Sequence, residues 1–204
     1  ERADIIFTAL PHKLPMEIVP GILEHGRKVV DLSADFRFTD PELYESAYQP
    51  HSAKELLRRS VYGLSEVFAD EIAGAELVGN PGCYPTSVLL PLIPLIRDGL
   101  IDERTIIADS KSGVSGAGRG PALTNIYCEV SESFKAYKVA AHRHEPEMEQ
   151  ILGRIAGKDI NITFVPHLVP MSRGMQTTIY AGLKEDTGEK AVRDCLHEYF
   201  KGRR

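Results

Sequence analysis

A chain of 204 residues with 43% apolar and 26% charged side chains has ordinary globular composition and can bury a core, as one domain or as parts of two. With 24 basic against 29 acidic residues the net charge is −5, which offers no general attraction to nucleic acid or anionic membranes, so an anionic ligand requires a local basic pocket. No apolar run reaches the roughly 18 residues of a membrane span and the N-terminus lacks a signal-peptide pattern; three cysteines without metal-type or framework spacing fit a reduced, cytoplasmic setting.

The chain begins at Glu1 without a methionine, and Asp4 to Leu10 reads as a buried strand, so a fragment opening in mid-sheet is expected. Pro11 and Pro15 mark a turn. Met16, Ile18, Val19, Ile22 and Leu23 line a helix ending near Gly26, and Val29 to Leu32 is a second apolar run. Two such runs joined by a helix form a βαβ unit with parallel strands and a right-handed crossover. Asp40-Pro41-Glu42 is a helix start, Leu64 to Ile72 is loop and short helix, and Glu76 to Val78 is a strand. Residues 1–82 therefore read as the later half of a Rossmann-like, doubly wound α/β sheet, in which ligands collect beyond the carboxyl ends of the strands.

After a turn at Asn80-Pro81-Gly82, Pro85 suits the first turn of a helix beginning just after Cys83. Ser87 to Leu100 is strongly apolar and reads as helical, although Pro91 and Pro94 fall inside it and must kink or split it. Thr105 to Asp109 reads as a strand, followed by a glycine-rich loop from Ser112 to Gly120, and a further strand is expected within Ile126 to Val139. Met148, Ile151, Leu152 and Ile155 recur at helical spacing before Gly157. Ile160 to Val165 and Met175 to Leu183 are strands; Val192, Leu196, Tyr199 and Phe200 give a last amphipathic helix. Strands and helices without regular alternation predict an α+β second domain over residues 83–204.

Chemistry concentrates in a few stretches. A cysteine at the start of a helix faces unpaired backbone N–H groups and the positive end of the dipole, which favour the thiolate; the alternative is a buried thiol serving as a small hydrophobe. A nucleophilic Cys83 needs an acid–base partner, and His142-Arg143-His144 is the densest candidate. His144 directly precedes the Glu145-Pro146-Glu147 helix start, where the dipole favours a neutral base; capping or surface placement is the other reading. With two close histidines and no third ligand at convincing spacing, no metal site is expected. The loop Lys111 to Gly120 offers backbone N–H groups, hydroxyls and two cations to a phosphate, although it is neither the dinucleotide fingerprint, since Pro121 stands where a third glycine would fall, nor a P-loop. Arg37, after a strand, and Arg173 could each clamp a carboxylate or phosphate.

Taken together, Ser33-Ala34-Asp35-Phe36-Arg37, Tyr62-Gly63-Leu64-Ser65-Glu66, Asn80-Pro81-Gly82-Cys83-Tyr84-Pro85-Thr86, Ser112 to Arg119, His142 to Glu147 and Pro166 to Gly174 resemble the N-acetyl-γ-glutamyl-phosphate reductases of the aspartate-semialdehyde dehydrogenase superfamily. The resemblance implies NADPH-dependent reduction of an acyl phosphate to an aldehyde in cytoplasmic arginine biosynthesis. It makes Cys83 the nucleophile that forms a thioester and His144 the proton shuttle. It also implies that Ser112, Gly113, Ser115, Gly116 and Gly118 bind NADP, that Arg37 or Arg119 holds the anionic substrate, and that 83–204 is a catalytic and dimerisation domain of a homo-oligomer. Aspartyl or carrier-linked aminoadipyl phosphate is the alternative substrate, and a noncatalytic fragment the alternative role. The family's glycine-rich dinucleotide loop and its further C-terminal stretch are absent from this sequence, and Lys13 stands where the family usually has glycine after Pro-His.

Overall fold

The computed structural model describes residues 3–118, 120 and 122–203, in two compact units divided between Gly82 and Cys83. In the first unit, the apolar run at the start forms β1 (Ile5–Thr8), and the stripe Met16, Val19 and Ile22 lies on α1 (Leu14–Glu24). β2 (Lys28–Asp31) pairs in parallel with β1 and completes the expected βαβ unit. Asp40 caps α2 (Pro41–Ala47) by accepting from the Glu42 amide, with Pro41 at the position where its missing N–H costs nothing. Then follow α3 (Lys54–Leu57), β3 (Val61–Tyr62), α4 (Ser65–Gly74) and β4 (Leu77–Gly79). The sheet is parallel throughout in the order β1-β2-β4-β3. Its core gathers Met16, Val19, Val29, Phe36, Phe38 and Tyr44.

One expectation is corrected here. β1 is not buried: Ile5 is 50% and Phe7 69% exposed, because β1 is the edge strand and these side chains have no packing partner layer among the described residues. Gly79 ends β4 for a steric reason. A Cβ there would stand 2.1 Å from the Phe36 carbonyl oxygen, so only glycine lets the Ser33–Phe38 loop cross the strand end.

The second unit starts with α5 (Cys83–Arg97), followed by β5 (Ile101–Ser112), α6 (Tyr127–Val130), β6 (Lys135–Ala136), α7 (Glu145–Ala156), β7 (Thr163–Leu168), β8 (Met175–Leu183) and α8 (Glu189–Phe200). Its mixed sheet runs β6-β7-β5-β8, with β5 and β7 parallel and both outer pairings antiparallel. This is the α+β arrangement expected after Cys83.

Pro91 and Pro94 do not split α5, which runs through them as one helix of 15 residues. Each proline forfeits a backbone hydrogen bond, but Val88, Leu89, Leu92 and Ile93 are fully buried and α5 packs on β5, β8, α7 and α8. The strand expected within Ile126 to Val139 shrinks to the two residues of β6, preceded by the single turn of α6. Alternation along β5 sorts the faces. Ile106, Ala108, Ser110 and Ser112 point inward, while Ile107, 42% exposed, points out with Tyr180, its cross-strand partner, at 56%. On the inner side a hydroxyl chain, Ser87 to Thr177 at 2.7 Å and Thr177 to Ser110 at 2.8 Å, ties α5 to the sheet. No helix among the described residues is long and apolar enough to cross a membrane.

Candidate active site

Cys83 is the first residue of α5 and is exposed, so its thiol is accessible at a helix start rather than packed as a small hydrophobe. The next residue, Tyr84, is 3% exposed and turns inward. Its ring meets those of His142 at 5.4 Å, His144 at 6.0 Å and Phe164 at 5.1 Å, each edge to face. The start of α5 is thereby packed against the segment that starts α7. His144 is the residue immediately before α7, as the spacing predicts, and its carbonyl accepts from the Met148 amide.

The two histidines, equivalent in sequence, differ in the structure. The His144 backbone N–H donates to Nδ1 of His142 at 3.1 Å, which makes that nitrogen an acceptor and leaves the His142 proton, when neutral, on Nε2. Burial, with the cations Arg143 and Lys138 nearby, pushes the His142 pKa down to about 4. His142 is thus a neutral support for the loop that carries His144, enclosed by Tyr84, Phe164 and Tyr137. Tyr137 adds a hydroxyl 2.9 Å from that of Tyr84. Both phenols are pushed above the ordinary tyrosine range, first by burial, and the charge of Cys83 contributes to each, so the thiol lies within electrostatic reach of both. Sequence reasoning missed Tyr84 and Tyr137 as site residues. The only signal was the position of Tyr84 beside the cysteine; nothing local marks Tyr137.

The glycine loop takes a form its composition does not announce. The amides of Gly113, Val114 and Ser115 donate to the carbonyls of Gly174, Met171 and Ser172, and those of Gly116 and Gly118 to Gly113 and Ser115. These donors are committed inside the protein. A Cβ on Gly113 would come within 2.9 Å of the Arg173 backbone and the Met171 carbonyl, which is why glycine is needed where the two loops touch. Ser112 is buried and donates to the Gly113 carbonyl, while Ser115, Gly116 and Gly118 are exposed. Beside them is a pocket of about 300 Å³ between Val114, Ser115, Gly118 and Asn125; a second, of about 270 Å³, is bounded by Val114, Asn125, Val130 and Met171. Arg119 lies outside the described residues. Arg173 is exposed on the loop facing Gly113.

In the first unit, Arg37 is 7% exposed and donates to the carbonyls of Asn80 and Leu32 at 2.6 and 2.9 Å. It stands among groups at the carboxyl ends of β1 and β2. Thr8 and Ser33 donate to the buried Asp31 at 2.7 and 2.5 Å, and Tyr44 and the Lys13 amide donate to the buried Asp35 at 2.8 and 2.7 Å. Burial raises both carboxyl pKa values.

The other cysteines are differently set. The Cys195 thiol is pushed up to about 11 by burial and by Asp98, which suppresses its thiolate, while Cys128 is exposed on α6.

Residues 83–204 match the family model described as semialdehyde dehydrogenase, dimerisation domain, and residues 1–75 the one described as semialdehyde dehydrogenase, NAD binding domain. An N-acetyl-gamma-glutamyl-phosphate reductase of Desulforapulum autotrophicum is 56% identical over 200 residues, covering 98% of this chain and 58% of the relative. One of Geobacter metallireducens is 59% identical over 206 residues, covering 99% and 59%. The chain therefore spans about three-fifths of the length of the curated relatives it matches. Among solved structures, aspartate semialdehyde dehydrogenase II from Vibrio cholerae superposes with a TM-score of 0.68 at 18% identity, over 95% of this chain and 60% of that one. The aspartate semialdehyde dehydrogenase from Candida albicans, solved with NADP, gives 0.60 at 16%, over 96% and 55%. At these identities the structures establish the fold.

Proposed function

The chain belongs to the semialdehyde dehydrogenase family, and from that premise we propose that it carries the catalytic pair of an N-acetyl-γ-glutamyl-phosphate reductase. The substrate is the acyl phosphate and the products are the semialdehyde and inorganic phosphate, a step of arginine biosynthesis in the cytoplasm. The observation that carries the reading is Tyr84: it follows Cys83 in the chain and its ring packs on those of His142 and His144, which ties the helix turn that bears the cysteine to the loop that bears the acid–base group.

The Cys83 thiolate attacks the acyl carbon, and its new C–S bond replaces the bond to phosphate, which leaves with the electron pair. A thiolate suits both halves of the reaction because it is a good nucleophile and a good leaving group. NADPH, when bound, supplies the hydride that reduces the thioester carbon. His144 gives a proton to the resulting oxyanion and takes it back as the C–S bond breaks, which returns Cys83 to the thiolate and frees the aldehyde. His142 stays neutral throughout and holds the His144 backbone through its Nδ1.

The loop's exposed residues suit a cofactor phosphate. A Cβ at Gly116 would stand 2.7 Å from the Ser112 hydroxyl, and Ser115 and Gly118 border the 300 Å³ pocket. Since five loop amides are already engaged, contact there runs through the Ser115 hydroxyl and the outer surface of the loop. Ser112 and Gly113 then shape the loop from within. Arg37, and Arg119 outside the described residues, remain the proposed holders of the anionic end of the substrate.

The test is acyl transfer. A protein of this sequence incubated with N-acetylglutamyl phosphate should gain the acyl mass on the peptide containing Cys83, and Cys83→Ser should abolish it with the circular dichroism unchanged. Acylation at Cys128 instead would overturn the assignment. In a full-length protein, His144→Asn should lower kcat by about 10²-fold or more, the range general acid–base groups supply.

Self-association through the second unit is part of the same reading. Its family model is described as a dimerisation domain, and the outer sheet face presents Ile107 and Tyr180, 42% and 56% exposed, to a second copy.

A further inference from the structure

We propose that Tyr84 and Tyr137 are positioning residues whose paired hydroxyls hold the Cys83 end of α5 in register with the loop that carries His144. The inference rests on the reading of Cys83 and His144 as the reacting pair.

Packing alone does not account for these two side chains. Tyr84 is 3% exposed and surrounded by the rings of His142, His144 and Phe164, a setting that phenylalanine would fill equally well. Burying a phenol there costs free energy unless its hydroxyl is bonded, and the partner supplied is the Tyr137 hydroxyl at 2.9 Å. Each link is anchored in a different element. Tyr84 lies in the first turn of α5. The Tyr137 amide donates to the Pro166 carbonyl, which fixes it to β7. Tyr137 and Tyr84 also flank His142 at 5.7 and 5.4 Å, and Nδ1 of His142 receives the His144 amide.

The Tyr84–Tyr137 hydroxyl pair therefore joins the cysteine's helix to β7 beside the histidine loop. Lose one hydroxyl and the rings still pack, but the hydrogen bond that ties Tyr84, and with it the start of α5, to the β7-anchored Tyr137 is gone. Since misalignment of about 1 Å between reacting groups can cost up to 10²-fold in rate, the effect falls on the chemistry before it falls on the fold.

Energetics separate this role from a structural one. Removing one partner leaves a buried hydroxyl unsatisfied and destabilises, whereas replacing both by apolar groups of the same shape is nearly neutral. A purely structural pair would thus be made whole by the double replacement. A positioning pair would not.

The experiment alkylates Cys83 of the 204-residue protein with iodoacetamide from pH 5 to 9, reading each cysteine by peptide mass and the fold by thermal melting. Tyr84→Phe, Tyr137→Phe, the double variant and His144→Asn are compared with the parent. Each single tyrosine variant should melt lower and should slow Cys83 alkylation at pH 7 about fivefold, with the rate at Cys128 unchanged. The double variant should melt near the parent yet keep the slow Cys83. Parental Cys83 profiles in all three tyrosine variants, while His144→Asn moves the profile, would overturn the positioning role alone. A profile that His144→Asn leaves unmoved would overturn the reacting pair and the inference that rests on it.

Discussion

At the scale of single residues, Lys13 and His142 show backbone and side chain held away from their ordinary preferences. Lys13 stands immediately before α1 with φ 85° and ψ −42°, a region that suits glycine, and its amide is fixed on the buried Asp35 carboxylate at 2.7 Å. Lys13→Gly keeps that hydrogen bond and removes the strain, so the variant should be more stable by about 1 kcal/mol, read as a higher urea midpoint. A lower midpoint would mean that the lysine side chain contributes more than its backbone costs. His142 has its pKa depressed on folding from 6.5 to about 4. The unfolded chain therefore takes up the proton first as the pH falls. The stabilisation is fully present above about pH 6.5 and is lost on the way down to about pH 4, amounting to on the order of 3 kcal/mol. Asp31, Asp35, Glu145 and Glu149, whose pKa values are raised by burial, gain stability as the pH falls through their folded values and oppose this trend. The measurement is accordingly a difference. Unfolding free energies of the parent minus those of His142→Asn should be flat above pH 7 and fall between pH 6.5 and 4; a flat difference throughout would contradict the burial of a neutral imidazole.

At the scale of elements, the outcome turns on what a segment touches. The spacing of α7 was readable because one stripe of apolar residues faces the core and Gly157 stops the helix in the left-handed conformation, at φ 68°. The continuity of α5 was not readable, since Pro91 and Pro94 are local signals of a break and the packing that overrides them comes from four other elements. β3 escaped notice for a related reason: two residues have no period, and Val61 and Tyr62 become a strand only through their register with Val78 and Gly79. The end of β4 yields a sharp test. Gly79→Ala would drive a methyl to 2.1 Å from the Phe36 carbonyl oxygen, a backbone atom that cannot swing aside. It should destabilise the first unit by about 3 kcal/mol or more, seen as loss of soluble protein or a strongly lowered melting temperature. Parental stability would show that the Ser33–Phe38 loop yields easily.

At the scale of the whole molecule, the open sheet face of the second unit carries the expectation for assembly. Charge placed at its centre by Tyr180→Arg should reduce the self-associated fraction in sedimentation velocity without altering the fold, because Tyr180 is 56% exposed in the single chain. Unchanged mass would remove that face from the interface. The sequence by itself determined the α/β first unit, the α+β second unit, the helix starts at Cys83 and after His144, and the resemblance that the family models bear out, since all of these rest on local periodicity, turn chemistry and ordered motifs. Only the tertiary structure decided that Tyr84 packs on both histidines, that Nδ1 of His142 accepts the His144 amide, that Tyr137 belongs to the cluster, and that three amides of the glycine loop bind the Met171–Gly174 segment while two more bond within the loop. The physical reason is that the packing contacts join residues tens of positions apart, while the local bonds, such as the His144 amide on Nδ1 of His142, depend on ring and loop orientations that this packing sets; neither periodicity nor motif records which side chain meets which across a folded core.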